Sequence, residues 1–147
     1  MTTLTVVRTT INIGDIEIDA YTANEVSSTT GSFINYLSQR GLAESIECDE
    51  STARLKRLPK DLQSLLPETF TVRGGFYEMT SGGKTKINLW DTFSAAQYYA
   101  YHAKQGNQKA LAIIIALAST TLDIIIDDKF NRKYEQGQAQ ARVNARM

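Results

Sequence analysis

Hydrophobic and polar positions alternate along the start of this chain. Ile11, Ile13, Ile16 and Ile18 fall at every second residue on either side of Gly14-Asp15, and Thr5 to Ile13 is rich in β-branched side chains. Glu17 and Asp19 point away from Ile16 and Ile18. Period-two spacing around a Gly-Asp pair predicts a β-hairpin over residues 4–20. From Tyr21 onward the pattern turns polar, and helix punctuation takes over. Thr22 is placed to cap a helix over Ala23–Ser28, and Ser32 to cap a second over Phe33–Arg40. Phe33, Ile34 and Leu37 form the second helix's apolar face, with Gly41 as its stop. Cys48 to Ala53 is polar and reads as a loop. Pro59 opens a short helix over Lys60–Leu66, closed by Pro67. A second hairpin follows, with strands at Thr69–Val72, Phe76–Thr80 and Thr85–Trp90 and a turn at Ser81-Gly82-Gly83-Lys84. Asp91 caps a helix over Thr92–Gln105, Gly106-Asn107 breaks it, and a long helix runs from Gln108 to about Asn131. The tail after Tyr134 is polar and expected to fray.

Two short helices joined by a glycine-containing turn are the grammar of a helix-turn-helix. Reading DNA needs a rigid helix that offers amides and small hydroxyls to base edges. Ser32, Asn35, Tyr36, Ser38, Gln39 and Arg40 are the candidates on the second helix. The second hairpin, with Arg73 before it and Lys84 and Lys86 at its tip, is a candidate wing. Arg54, Lys56 and Arg57 are candidate phosphate contacts, which position without specifying. The expected fold is therefore α+β, a winged helix-turn-helix with β-hairpins and a long C-terminal dimerisation helix. Residues 1–90 form the DNA-binding region and 91–147 the helical region of a single unit.

Tyr21-Thr22, Glu25-Val26, Thr30-Gly31 and Gly41-Leu42 together resemble the opening of MerR-type transcriptional regulators. The resemblance covers about 20 residues well and the remainder only by order of elements. It implies a wing after the helix-turn-helix and a closing helix through which two copies pair. The chain departs from the pattern. The interval from Gly31 to Gly41 is about three residues short, the Leu-Arg-Tyr-Tyr-Glu segment is absent, and two strands precede the motif. It is similar in outline to a shortened member, such as the small repressors that control CRISPR-associated transposons. Tyr98-Tyr99-Ala100-Tyr101 and Gly106-Asn107 also resemble phage-type antirepressor domains.

Composition narrows these options. With 147 residues and 42% apolar content the chain suits one domain with a real core. Its net charge is zero, but the charge is unevenly spread. Residues 15–50 hold eight acids against Arg40, and the bases gather at Arg54, Lys56, Arg57 and Lys60 and again further on. A neutral total can hide a basic face. One cysteine and one histidine argue against an internal disulfide or a zinc site. No leader peptide is evident, and the run Leu111–Ile126, which contains Ser119, Thr120, Thr121 and Asp123, is shorter than the roughly 20 apolar residues that a membrane span needs. Its near-continuous apolar surface instead calls for cover, most economically by a second copy through Leu111, Ile114, Ile115, Ala118, Leu122 and Ile125.

The expected function is that of a cytoplasmic, non-enzymatic, homodimeric repressor. It binds an inverted repeat in double-stranded DNA and needs no cofactor or metal. One alternative is a protein-interaction module of the antirepressor kind. A second is a small metal-dependent nuclease built on Asp15, Glu17, Asp19 and Glu78 with Lys84 or Lys86.

Overall fold

The strands are set by residues that cannot be buried from one side alone. In the computed structural model, which describes residues 4–26, 33–68, 70–79 and 82–130, β1 (Leu4–Ile13) and β2 (Ile16–Val26) form the expected hairpin. Gly14 makes the turn with φ 66°, in the left-handed region that favours glycine. β2 then pairs antiparallel with β3 (Phe33–Ser38). A connection bearing α1 (Gln39–Ser45), two single 3₁₀ turns and α2 (Lys60–Gln63) leads to β4 (Arg73–Glu78) and β5 (Lys84–Asp91). The five strands close into a barrel in the order β1-β2-β3-β5-β4. An odd number of strands cannot alternate direction all the way round a ring, so one pair must run parallel. That pair is β1 with β4, joined only at Leu4↔Gly75 and Thr5↔Phe76.

The architecture is α+β, as expected, but the helix-turn-helix is not what residues 21–40 form. Tyr21–Val26 continues β2, and Phe33–Ser38 is β3. Tyr21 lies opposite both Arg8 and Tyr36 in the ladder. Two helices of six to eight residues would gain few hydrogen bonds against their nucleation cost. As strands, these residues pair on both sides and bury Tyr21, Ala23 and Tyr36. The helix starts at Gln39 instead, with Ser38 as its cap. Ser38 Oγ accepts from the Gly41 amide at 2.9 Å, so Gly41 lies inside the helix rather than ending it. Ser32, Thr30 and Gly31 lie outside the described residues. The segment 70–72 is not a strand, while the β4–β5 hairpin agrees with the sequence pattern.

Alternation along each strand sorts the apolar residues into two cores. Leu4, Val6, Tyr21, Ala23, Tyr36 and Leu89 fill the barrel, with Ile34, Tyr77 and Ile87 packed beside them. On the outer face, Ile13, Ile16, Ile18, Leu37 and Trp90 pack under a helical layer supplied by Leu42, Ile46, Leu58, Leu62, Tyr98, Tyr99 and Ile113. Residues from both sides of position 90 thus share one core. At the parallel seam Gly75 is needed for closeness. A Cβ there would meet Leu89 Cδ1 at 2.7 Å and the Leu4 carbonyl oxygen at 3.4 Å. Gly75→Val is therefore expected to lower stability by about 1–3 kcal/mol through overpacking. An unchanged melting temperature would show that the seam does not hold the barrel.

α3 (Thr92–Lys104) and α4 (Gln108–Lys129) complete the chain's described part. Asp91 Oδ2 accepts from the Ser94 amide at 3.0 Å, which fixes the start of α3 where the sequence placed it. Gly106, at φ +98°, ends the helical run, and Asn107 Oδ1 caps α4 through the Ala110 amide at 2.9 Å. Asn107 Nδ2 also donates to the Ile46 carbonyl at 3.0 Å, tying the helix pair to α1. α4 buries Ala110, Ile113 and Ala116. Much of the rest of its apolar surface is open: Leu111, Ile115, Leu117, Leu122, Ile125 and Ile126 are all exposed. By length and composition alone α4 would be long and apolar enough to cross a membrane.

Candidate functional site

The residues expected to read DNA are used in other ways. Tyr36 is buried in the barrel, and its hydroxyl accepts from Arg73 Nη1 at 3.2 Å. Arg73 is thereby drawn to the barrel rather than offered on a wing. Ser38 and Gln39 are buried, the first as a cap and the second donating through Nε2 to Glu50 Oε2 at 3.3 Å. Arg40 is exposed but lies 3.9 Å from both Glu44 and Glu50. Asn35 is exposed and makes no side-chain hydrogen bond among the described residues. Lys84 and Lys86 are exposed two positions apart on β5, with Lys84 opposite Glu78 in the ladder.

Three of the expected phosphate contacts do come together. Arg54, Lys56 and Arg57, with Lys60, form an exposed ridge on the two 3₁₀ turns and the start of α2. The ridge is held from beneath. Ala53, Leu58 and Leu62 are buried in the helical core, and the Arg57 amide donates to the Arg54 carbonyl at 2.9 Å. Gln63 Nε2 donates to the Leu58 carbonyl at 2.7 Å, and Thr52 Oγ1 lies 2.8 Å from the Tyr98 hydroxyl. No ion pair among the described residues involves any of these four cations. Their field does reach Asp49: the Ser51 hydrogen bonds chiefly, and then Arg54 and Arg57, hold its carboxyl below the usual carboxylate range. Leu55, 45% exposed, stands among them. The sequence signal for the ridge was the clustering of bases, Lys60 included; that Leu55 stands exposed among them follows from the 3₁₀ turns.

A cleft of about 990 Å³ opens beside the barrel, and sequence reasoning missed it. Arg8 lies over the Tyr77 ring at 4.7 Å, donates to the Tyr77 hydroxyl at 3.2 Å and sits 3.9 Å from Asp19. Tyr21 lies 5.8 Å from Tyr77, ring to ring, and its hydroxyl pKa is raised by burial first and by Asp19 next. Six carboxylates (Asp15, Glu17, Asp19, Glu44, Glu47 and Glu50) line the cleft against four cations (Arg8, Arg40, Lys86 and Lys109). That balance disfavours a phosphate backbone there. Cross-strand pairing hid this group from the sequence, because Arg8 and Tyr77 meet across about 70 residues.

The carboxylates considered for a nuclease do not assemble. Asp19 accepts from Thr10 Oγ1 at 3.0 Å, Glu78 lies across the barrel hairpin opposite Lys84, and no group of three metal-capable side chains forms among the described residues. His102 is half-buried against Tyr98 at 4.5 Å, and burial pushes its pKa down. Of the expected dimerisation residues, Leu111, Ile115, Ala118, Leu122 and Ile125 share the open face of α4. Ile114 turns instead toward the helical core. Comparison with known protein families, with curated proteins and with solved structures finds no match to this chain.

Proposed function

We propose that this chain is a cytoplasmic, non-catalytic DNA-binding protein that grips the phosphate backbone through the Arg54–Lys60 ridge and regulates transcription from there. The observation that carries this reading is the ridge itself: four exposed cations within seven residues, without ion partners among the described residues, on a scaffold anchored by three buried side chains. The anchored backbone need not rearrange to bring these cations to phosphate, and each neutralised phosphate releases counterions. The exposed Leu55 adds an apolar contact of the kind that enters a minor groove. Reading of bases no longer rests on Gln39 or Tyr36, which are buried and bonded.

The test is fluorescence anisotropy across a salt series, using the duplex upstream of the chain's own gene and a scrambled duplex. Arg57→Ala is expected to weaken binding to both duplexes alike and to flatten the log–log salt slope by about 0.9. Replacing Arg54, Lys56, Arg57 and Lys60 together by alanine is expected to abolish binding at physiological salt. Tighter binding to the upstream duplex marks a regulator. A wild-type salt slope near zero, or full binding by the quadruple variant, would overturn the proposal. A second reading, a protein-interaction module, draws support from the open apolar face of α4. Binding too feeble to measure on either duplex would favour it.

A further inference from the structure

We infer that two copies of this chain pair antiparallel along α4, with the two-fold axis passing beside Ala118. The exposed residues Leu111, Ile115, Ala118, Leu122 and Ile125 follow one another at intervals of four, three, four and three. That is the spacing of a coiled-coil seam, a narrow stripe whose knobs fit the holes of another helix carrying the same repeat. The seam is on the face opposite Ala110, Ile113 and Ala116, which pack against the protein's own helical core. One helix face is thus engaged and the other is built for a partner.

The partner is a second copy because the stripe complements itself. Turned end for end about Ala118, Leu111 faces the position of Ile125, Ile115 comes within one residue of that of Leu122, and Ala118 meets its twin. Alanine at the axis allows close approach, and the larger pairs flank it. The area is that of a small interface. Leu111, Ile115, Leu122 and Ile125, with Ile126 beside them, are 39–59% exposed, and two such faces together bury roughly 1,000 Å², the low end for a specific pair. Charge sets the direction. Lys129 continues the seam at its C-terminal end and is exposed. Parallel pairing would set Lys129 against its twin within the stripe, whereas antiparallel pairing parts the two lysines to opposite ends. The resulting dimer presents the Arg54–Lys60 ridge twice, related by a two-fold axis, which an inverted-repeat operator would match.

The inference stands apart from DNA binding, and it is tested without DNA on the full chain. Sedimentation is expected to show a dimer at low micromolar concentration. Leu122→Glu is expected to raise the dissociation constant at least a hundredfold while the circular dichroism spectrum stays folded. Orientation is read by disulfide trapping in a Cys48→Ser background. An equal mixture of L111C and I125C chains is expected to cross-link, as is A118C alone. L111C alone is expected not to, because antiparallel pairing separates the two copies of that position by roughly 20 Å, at about 1.5 Å per residue. Self-cross-linking of L111C would overturn the orientation. A monomer at all concentrations would overturn the dimer. So would a dimer that forms only after residues 131–147 are deleted, since the chain's own tail would then be the natural cover. Association confined to detergent or lipid vesicles would overturn it in favour of a membrane surface.

Discussion

Above pH 10 the protein is expected to lose stability steeply, and to be much less stable by about pH 12. The cause is a pair of adjacent tyrosines under the helical layer. Tyr98 and Tyr99 are 0% and 2% exposed, and their hydroxyls are held 2.8 Å from Thr52 Oγ1 and Ser45 Oγ. Burial pushes each pKa from the ordinary 10.0 up to about 12. The folded state therefore keeps both protons through a range in which the unfolded chain releases them. Stability is fully present below pH 10 and drains away as pH rises toward the folded values. Two units correspond to about 2.7 kcal/mol for each hydroxyl, and a small domain has only about 5–15 kcal/mol in total. Trp90, the single tryptophan, packs 5.7 Å from Tyr98 and supplies the signal. Denaturation midpoints followed by its fluorescence should be flat near neutrality and fall between pH 10 and pH 12. Changing both tyrosines to phenylalanine should flatten that alkaline limb. A wild-type midpoint that does not move over this range would mean that these hydroxyls ionise freely in the folded protein.

Trp90→Ala is expected to cost about 3–5 kcal/mol, a large share of the stability of an ordinary small domain. Trp90 is the largest fully buried side chain, and it joins the two halves of the structure. Its backbone lies in β5 opposite Leu37. Its ring meets Phe70 at 4.7 Å and Tyr98 at 5.7 Å, so barrel, connection and α3 all rest on it. The indole Nε1 finds no acceptor among the described residues. Trp90→Phe, which removes that buried donor and keeps most of the ring, should therefore be tolerated far better. The two variants are compared by urea denaturation. An alanine variant as stable as the phenylalanine one would show that the cavity collapses and that Trp90 is not the pivot.

Elements whose signals are local were legible in the sequence. Gly14-Asp15 between isoleucines at period two, Asp91 as a cap, and Gly106-Asn107 between two helices each name their own structure within a few residues, and each is found. Residues 21–40 misled because their cues were local while their fate was not. Thr22, Ser32 and Gly41 punctuate a helix, but Tyr21 and Tyr36 are claimed by strands on either side, including β5 some 50 residues away. Tertiary pairing overrode capping preference. The candidate site shows the same division. The basic run at Arg54–Arg57 could be read directly. Whether Gln39 and Arg73 point outward could not, since Glu50 and Tyr36 decide that in space. The seam on α4 was half visible. Spacing named Leu111, Ile115, Ala118, Leu122 and Ile125, and only packing against the helical core could set Ile114 apart from them.

The parallel seam between β1 and β4 has a consequence for how the chain is made. Leu4 finds its neighbour in Gly75, about 70 residues downstream. A ribosome adding about 5–20 residues per second would leave β1 without that neighbour for roughly 4–14 s. During that time Leu4 and Val6 have only the β2 side of their hairpin, and the other edge of β1 stays open to strands from other chains. The nascent half-barrel is thus the moment of greatest risk in the life of this protein, and a chaperone that holds open strand edges would be most useful to it there.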